Sequence, residues 1–229
     1  MTEVTADDNG FGARNPRLEE IGSAAAGIAH DINNQLTLIL NHLAMPDLDS
    51  ARAALRRCTT LTANLLTYCR GERLKMQPVD TVAFLHDFVD GLWLPEGIRL
   101  TIDAPEQLPL VRAHRTALTR VLTNLITNAC DAMKGRGAIR ITATPGVIEV
   151  TDSGPGIPYA DLRSVFEPFF STKGPRGTGL GLAIVREIMR QHGGAASAAN
   201  GPGRGARFTL RFRLHRPPGP GSHQRRKDI

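Results

Sequence analysis

No apolar run in this sequence approaches the roughly 20 uncharged residues that a membrane-crossing helix needs, so membrane insertion is not expected. The opening MTEVTADDNG is acidic and polar, unlike a secretory signal, so none is expected there. Cysteine is scarce and odd in number. Cys58, Cys69 and Cys130 lack metal-ligand spacing and read as reduced thiols filling small apolar positions in a cytoplasmic protein. There is no internal repeat. Nor is there a large excess of one charge, since the formal net charge is +6. Part of it sits in the terminal HRPPGPGSHQRRKDI, where Arg216, Arg225, Arg226 and Lys227 outweigh Asp228. A basic tail can bind nucleic acid. Its prolines and glycines read instead as a flexible solvated end, so nucleic acid is disfavoured as a partner.

What is present suffices for real cores: 229 residues, 41% hydrophobic and 22% charged, suit one or two soluble domains. Residues 1–16 are polar and read as a disordered arm. From Leu18, apolar residues recur at helical spacing through Ile21, Ala25, Ile28, Ile32, Leu36, Ile39 and Leu43. Pro46 ends that run. A second follows through Leu55, Cys58, Leu61, Leu65 and Cys69, with Asp49 or Ser50 as its cap. Two such helices make a hairpin that cannot bury its apolar stripe alone. Pairing two copies into a four-helix bundle would bury it, so a homodimer is expected.

Gly71–Pro78 reads as a linker. Beyond it, helices are expected over about Thr81–Trp93 and Arg115–Met133, and from near Leu180 to Gly193-Gly194. Strands fit Ile98–Ile102, Leu110–Val111, and Ala138–Ala143 joined by a tight turn to Val147–Thr151. A final strand over Arg207–Leu214 should pair with one near Ala195–Ala199, and these elements together build a second, two-layer domain.

Three segments in that domain carry chemistry: LTNLITNACDAM at Leu122–Met133, DSGPGI at Asp152–Ile157 and GTGLGLAI at Gly177–Ile184. Asn124 and Asn128 share a helix face, and a neutral amide oxygen suits Mg²⁺, which takes few protein ligands beside nucleotide phosphates. Asp152 ends a strand where Gly154 and Gly156 let backbone approach a ligand, and its carboxylate can accept from an adenine amino group. Gly177, Gly179 and Gly181 open a helix and place bare N–H groups against phosphate oxygens. Between the glycine segments, VFEPFFSTKGPRG holds Phe166, Phe169 and Phe170, at least one of which should pack inward, and a polar stretch able to close as a lid. Lys173 there reads either as a solvated charge or as a phosphate contact. Singly each feature has an ordinary structural reading, but in this order they describe an ATP site.

These segments resemble the N box, first glycine box, F box and second glycine box of bacterial sensor histidine kinases, within the ATPase superfamily of gyrase, the Hsp90 chaperones and MutL. The resemblance spans roughly residues 17–214. It implies an H box upstream, and GIAHDINNQL at Gly27–Leu36 resembles one, with His30 as phosphoacceptor. Imidazole is a competent nucleophile near neutral pH. Asp31 can orient the ring or accept its proton, and Asn34 lies one turn on. In the family, an acidic residue after the histidine and an Asn or Thr three further on supports dephosphorylation of the partner.

The implied fold class is α+β: a helical-hairpin dimerisation domain, a four-helix bundle as the dimer, followed by a two-layer α/β sandwich ATP-binding domain. Expected boundaries are 1–16 for the arm, 17–76 for dimerisation and histidine phosphotransfer, 77–214 for ATP binding and 215–229 for the tail. The implied nucleotide site comprises Asn124, Asn128, Asp131, Asp152, Gly154, Gly156, Ile157, Phe166, Phe170, Lys173, Gly177, Thr178, Gly179, Leu180 and Gly181, with ATP and Mg²⁺ as cofactors and Asn128 as metal ligand. A response regulator receiver domain is the implied partner. With no sensor or receiver domain in view, input would come from a separate sensor protein, from the N-terminal arm, or from nothing.

Rival readings are an ATP-hydrolysing superfamily member, a phosphotransfer adaptor and a non-enzymatic binding module. Hydrolysing members carry a glutamate four residues before the magnesium asparagine, whereas Asn124 here cannot accept a proton at neutral pH. An adaptor should have eroded glycine boxes, and these are intact. Two departures from the family remain. Helix one is short past His30, and His114 with Arg115 stand where the family often has an acidic residue, a change without a physical reading in sequence alone.

Overall fold

The computed structural model describes residues 36–37, 74–173, 179–201, 203 and 205–215. The chain divides into two compact units, Met1–Arg70 and Gly71–Ile229. In the first, Leu36 and Thr37 are described, both helical and exposed. The rest of the expected hairpin, including Pro46, Cys58 and Cys69, lies outside the described residues, as do the N-terminal arm and residues 216–229 of the tail.

The second unit runs β1 (Gln77–Val79), α1 (Thr81–Asp90), β2 (Ile98–Asp103), β3 (Val111–Ala113), α2 (Arg115–Ala132), β4 (Gly137–Thr144), β5 (Val147–Asp152), α3 (Gly181–Gln191), β6 (Ala195–Asn200) and β7 (Ala206–Arg211). Asp80 starts α1 by accepting from the N–H groups of Val82 and Ala83 at 2.9 and 3.1 Å, satisfying donors that a helix start leaves orphaned. The helix stops at Gly91 instead of reaching Trp93, which is 84% exposed. His114 caps α2, its Nδ1 accepting from the Ala117 N–H at 3.3 Å. Arg115 pairs with Asp87 of α1 at 2.8 Å and lies 5.2 Å over the Phe84 ring. Those contacts supply the physical reading of His114 and Arg115: they begin α2 and tie it to α1.

Five strands form one mixed sheet in the order β2-β4-β5-β7-β6, with β2 and β4 parallel and the remaining pairs antiparallel. A parallel pair needs a crossover, which the segment carrying α2 provides. Alternation along β4 and β5 sends Ile139, Ile141, Ala143, Ile148 and Val150 to the buried face. Register continues that row, Ile141 opposite Val150 and Val150 opposite Phe208. Leu118, Val121, Leu122, Leu125 and Ile126 of α2 are buried, with α2 packing on β4, β5 and α3 and α3 on β6. At about 1.5–3 kcal/mol per fully buried aliphatic side chain, this interface between helices and sheet dominates the unit's stability.

Four expectations need correction. Gln77 and Pro78 are not linker, because they pair with Ala113 and Arg112 in the two-stranded β1–β3 sheet. The last strand ends at Arg211, beyond which Leu214 bridges Val111. His215 donates its N–H to the Leu110 carbonyl at 2.7 Å, so it belongs with the folded unit and not with the tail. The strand expected at Leu110–Val111 is displaced to Val111–Ala113 by its pairing with β1.

Candidate functional site

Period-two alternation puts Asp152, the last residue of β5, on the same face as Ile148 and Val150, under the helices and 7% exposed. Its Oδ1 accepts from the N–H of Gly154 at 2.8 Å and of Ala206 at 3.1 Å. Its Oδ2 takes no hydrogen bond from the described residues. Burial pushes the carboxyl above its usual range, and the two N–H bonds partly offset that rise. Asp152 is thus held by one oxygen while the other is available as an acceptor. Glycine is required beside it: a Cβ on Gly154 would meet Asp152 Oδ1 at 2.9 Å and Met133 Cγ at 3.2 Å. One on Gly205 would run into the Asp152 carbonyl. The contact with Met133 brings the DSGPGI segment to the end of α2.

On α2, Asn124, Asn128 and Asp131 follow the i, i+4, i+7 line beside the buried stripe. Asn124 and Asn128 face the start of α3, where a Cβ on Gly181 would lie 3.6 Å from Asn124 Oδ1 and 3.8 Å from Asn128 Nδ2. Helix α3 opens there with no side-chain cap, leaving the positive end of its dipole facing the two amides. Among the described residues the buried Asn124 Nδ2 atom has no hydrogen-bond partner, the kind of orphan that a bound ligand resolves. Lys173 reaches the same place, its Nζ donating to Asn128 Oδ1 at 3.0 Å and to Asp131 Oδ2 at 2.7 Å. A cationic group therefore already sits between an amide oxygen and a carboxylate oxygen, the donor set that Mg²⁺ accepts. The residues fit both a nucleotide and its metal.

Gly156 has φ +80°, and Ile157 after it is gripped at both backbone groups by Asn200. The Ile157 N–H donates to Asn200 Oδ1 at 2.7 Å, and Asn200 Nδ2 donates to the Ile157 carbonyl at 2.8 Å. Phe166 is the inward-packing phenylalanine, edge-on to Phe208 with ring centroids 6.3 Å apart, whereas Phe170 is half-buried. Leu180 is fully buried, so its side chain serves the core and not a ligand. Gly179 has φ +63°, and a Cβ on it would strike the Phe169 backbone. Phe169 itself has φ 67°, a conformation that costs a non-glycine residue of order 1 kcal/mol or more.

His30, Asp31, Asn34, Gly177 and Thr178 lie outside the described residues. The structure adds Asn200, Gly205 and Ala206, which the motif reading missed. Gly205 carried a visible signal as a glycine entering a strand. Asn200 and the Ala206 N–H carried none. Cys130 beside Asp131 is in no disulfide, and burial, with the Asp131 charge adding to it, raises its pKa, which disfavours the thiolate.

Residues 113–216 match the family described as histidine kinase-, DNA gyrase B-, and HSP90-like ATPase. The sensor histidine kinase ZraS of Escherichia coli O157:H7 is 36% identical over 217 residues, covering 86% of this chain and 47% of that protein. The sensor kinase CckA of Brucella abortus (strain 2308) is 32% identical over 243 residues, covering 91% and 26%. The chain thus spans about half or less of the length of these curated relatives. Among solved structures, the histidine kinase ThkA in complex with the response regulator protein TrrA aligns with a TM-score of 0.70 at 26% identity, covering 87% of this chain and 64% of that one. Among the described residues no helix is long and apolar enough to cross a membrane.

Proposed function

Because this chain belongs to the ATPase superfamily of the histidine kinases, we propose that it is an ATP-dependent protein-histidine kinase of a two-component system. His30 takes the γ-phosphoryl group of ATP and passes it to an aspartate of a response regulator's receiver domain. Residues 17–76 dimerise and carry the phosphoacceptor, and residues 77–214 bind the nucleotide. Support for the partner class comes from ThkA, which was solved with a response regulator.

The chain's own groups divide the work. Asp152 Oδ2 accepts from the adenine amino group. The backbone at the start of α3 faces the phosphates. Asn128 and Asp131 would hold Mg²⁺, which when bound neutralises charge on the triphosphate. The neutral imidazole of His30 attacks the γ-phosphorus, and an N–P bond forms as the bond from phosphorus to the ADP oxygen breaks. Asp31 orients the ring or takes its proton. Asn34, one turn on, positions water for the opposing reaction, dephosphorylation of the regulator.

The observation that carries this reading is Asn124 beside Asn128 at Gly181. An amide stands where water activation would need a carboxylate, so the site binds and orients a triphosphate without a base to hydrolyse it. Incubation with γ-labelled ATP tests it. Acid-labile label should appear on the wild type and vanish in both His30→Gln and Asn128→Ala. Label that survives His30→Gln, or phosphate release indifferent to His30, would overturn the assignment.

A further inference from the structure

Lys173 occupies the position where the proposed site needs its metal. Its N–H donates to Ser171 Oγ at 3.1 Å, a local turn, and its ammonium reaches α2 to bridge Asn128 Oδ1 and Asp131 Oδ2. Two groups on adjacent turns of one helix thus share a single positive charge. Mg²⁺ on the same oxygens would sit about 2.0–2.1 Å from them, which leaves no room for the ammonium and sets two positive charges against each other. Lysine suits displacement: it is a point charge on a flexible stem, and here its side chain is 36% exposed against 54% for Asp131.

Resting on the nucleotide-binding reading above, we infer that Lys173 is a built-in competitor of the metal. It fills the cation position in the absence of nucleotide and yields when a divalent cation arrives together with nucleotide phosphates. The competition has a direction. Without nucleotide, the cation must replace an ammonium that already satisfies both oxygens, so free metal binds weakly. With nucleotide, the phosphates add negative charge and further oxygen ligands, and they offer the displaced ammonium a new anionic partner. Lys173 therefore selects for the metal–nucleotide complex over the bare ion.

Mn²⁺ titrations of the full chain, followed by water-proton relaxation with and without ADP, test this without any phosphoryl transfer. Lys173→Met keeps the stem and removes the charge. Without ADP it should lower the half-saturating Mn²⁺ concentration about two- to fivefold, the range of an exposed ion pair. With ADP the gap from wild type should narrow. Lys134→Met removes the same charge just past the end of α2 and should stay closer to wild type in both arms. Saturable uptake by wild type that Lys173→Met leaves unchanged or weakens without ADP would overturn the competition alone. No saturable uptake by any variant with ADP present would overturn the nucleotide reading and this inference with it.

Discussion

Asn200 holds Ile157 as a neighbouring strand would: one side-chain amide accepts from its N–H at 2.7 Å and donates to its carbonyl at 2.8 Å. The pair fixes the exit of the first glycine segment to the end of β6, and so sets how the backbone after Asp152 runs past the proposed adenine position. Asn200→Ala leaves an N–H and a carbonyl unpaired in a half-buried place, at a cost of about 1–2 kcal/mol. Urea unfolding should show that loss, and adenine-nucleotide titration should show weaker binding. Unchanged values in both would remove Asn200 from the site.

Asp152 allows a cleaner separation of folding from binding. In Asp152→Asn the amide oxygen can still accept from Gly154 and Ala206, but a donor replaces Oδ2 and confronts the adenine amino group. Stability should stay close to wild type while ATP affinity falls roughly 10- to 100-fold, the value of a hydrogen bond to a charged group. Undiminished affinity would mean that Asp152 does not read the base.

Gly179 is constrained twice, by φ +63° and by the Phe169 backbone against it, whereas a Cβ on Gly203 would meet nothing within 4 Å. Gly179→Ala should therefore destabilise the unit by about 1–3 kcal/mol, and Gly203→Ala should be close to neutral. Thermal unfolding of the two variants decides the matter, and equal effects would refute the packing argument.

His192 makes stability depend on pH. It is 4% exposed. Its Nε2 accepts from the His114 N–H at 3.0 Å, which leaves Nδ1 to donate to the Ile188 carbonyl at 2.7 Å. Burial holds its pKa below the usual histidine value, the Ile188 bond opposes that shift, and His114 adds to it. A base depressed on folding binds more protons when unfolded, so its contribution is intact above about pH 6.5 and drains as pH falls toward its folded pKa. Asp152, raised by burial, has the opposite sign, favouring the folded state at acid pH and losing that as pH rises through its folded value. Urea midpoints from about pH 7.5 down to about pH 5 should fall for wild type and fall less for His192→Gln. Parallel slopes would rule His192 out.

The motif chemistry is legible in the sequence because it is local. Glycines that open a helix, two amides on one helix face and a carboxylate closing a strand each follow from spacing within a single element. The errors sit where distant pairing decides. Pro78 reads as linker until β3 pairs with it. The last strand reads too long because Phe212 and Leu214 continue the apolar alternation of β7. In the fold Phe212 still donates its N–H to the Gly146 carbonyl at 2.8 Å, but the chain then turns to β3: the Arg213 carbonyl accepts from the Arg112 N–H at 3.1 Å, and Leu214 bridges Val111.

By itself the sequence determined the elements, the order of the three motif segments and the amide at Asn124 that argues against hydrolysis. All of these depend on residues within a turn or two of one another. Only the tertiary structure decided that Asn200 grips Ile157, 43 residues away, and that Lys173 rests on Asp131, 42 residues away. Such pairings exist only once the sheet and helices have brought remote stretches of chain together, and no local spacing encodes them.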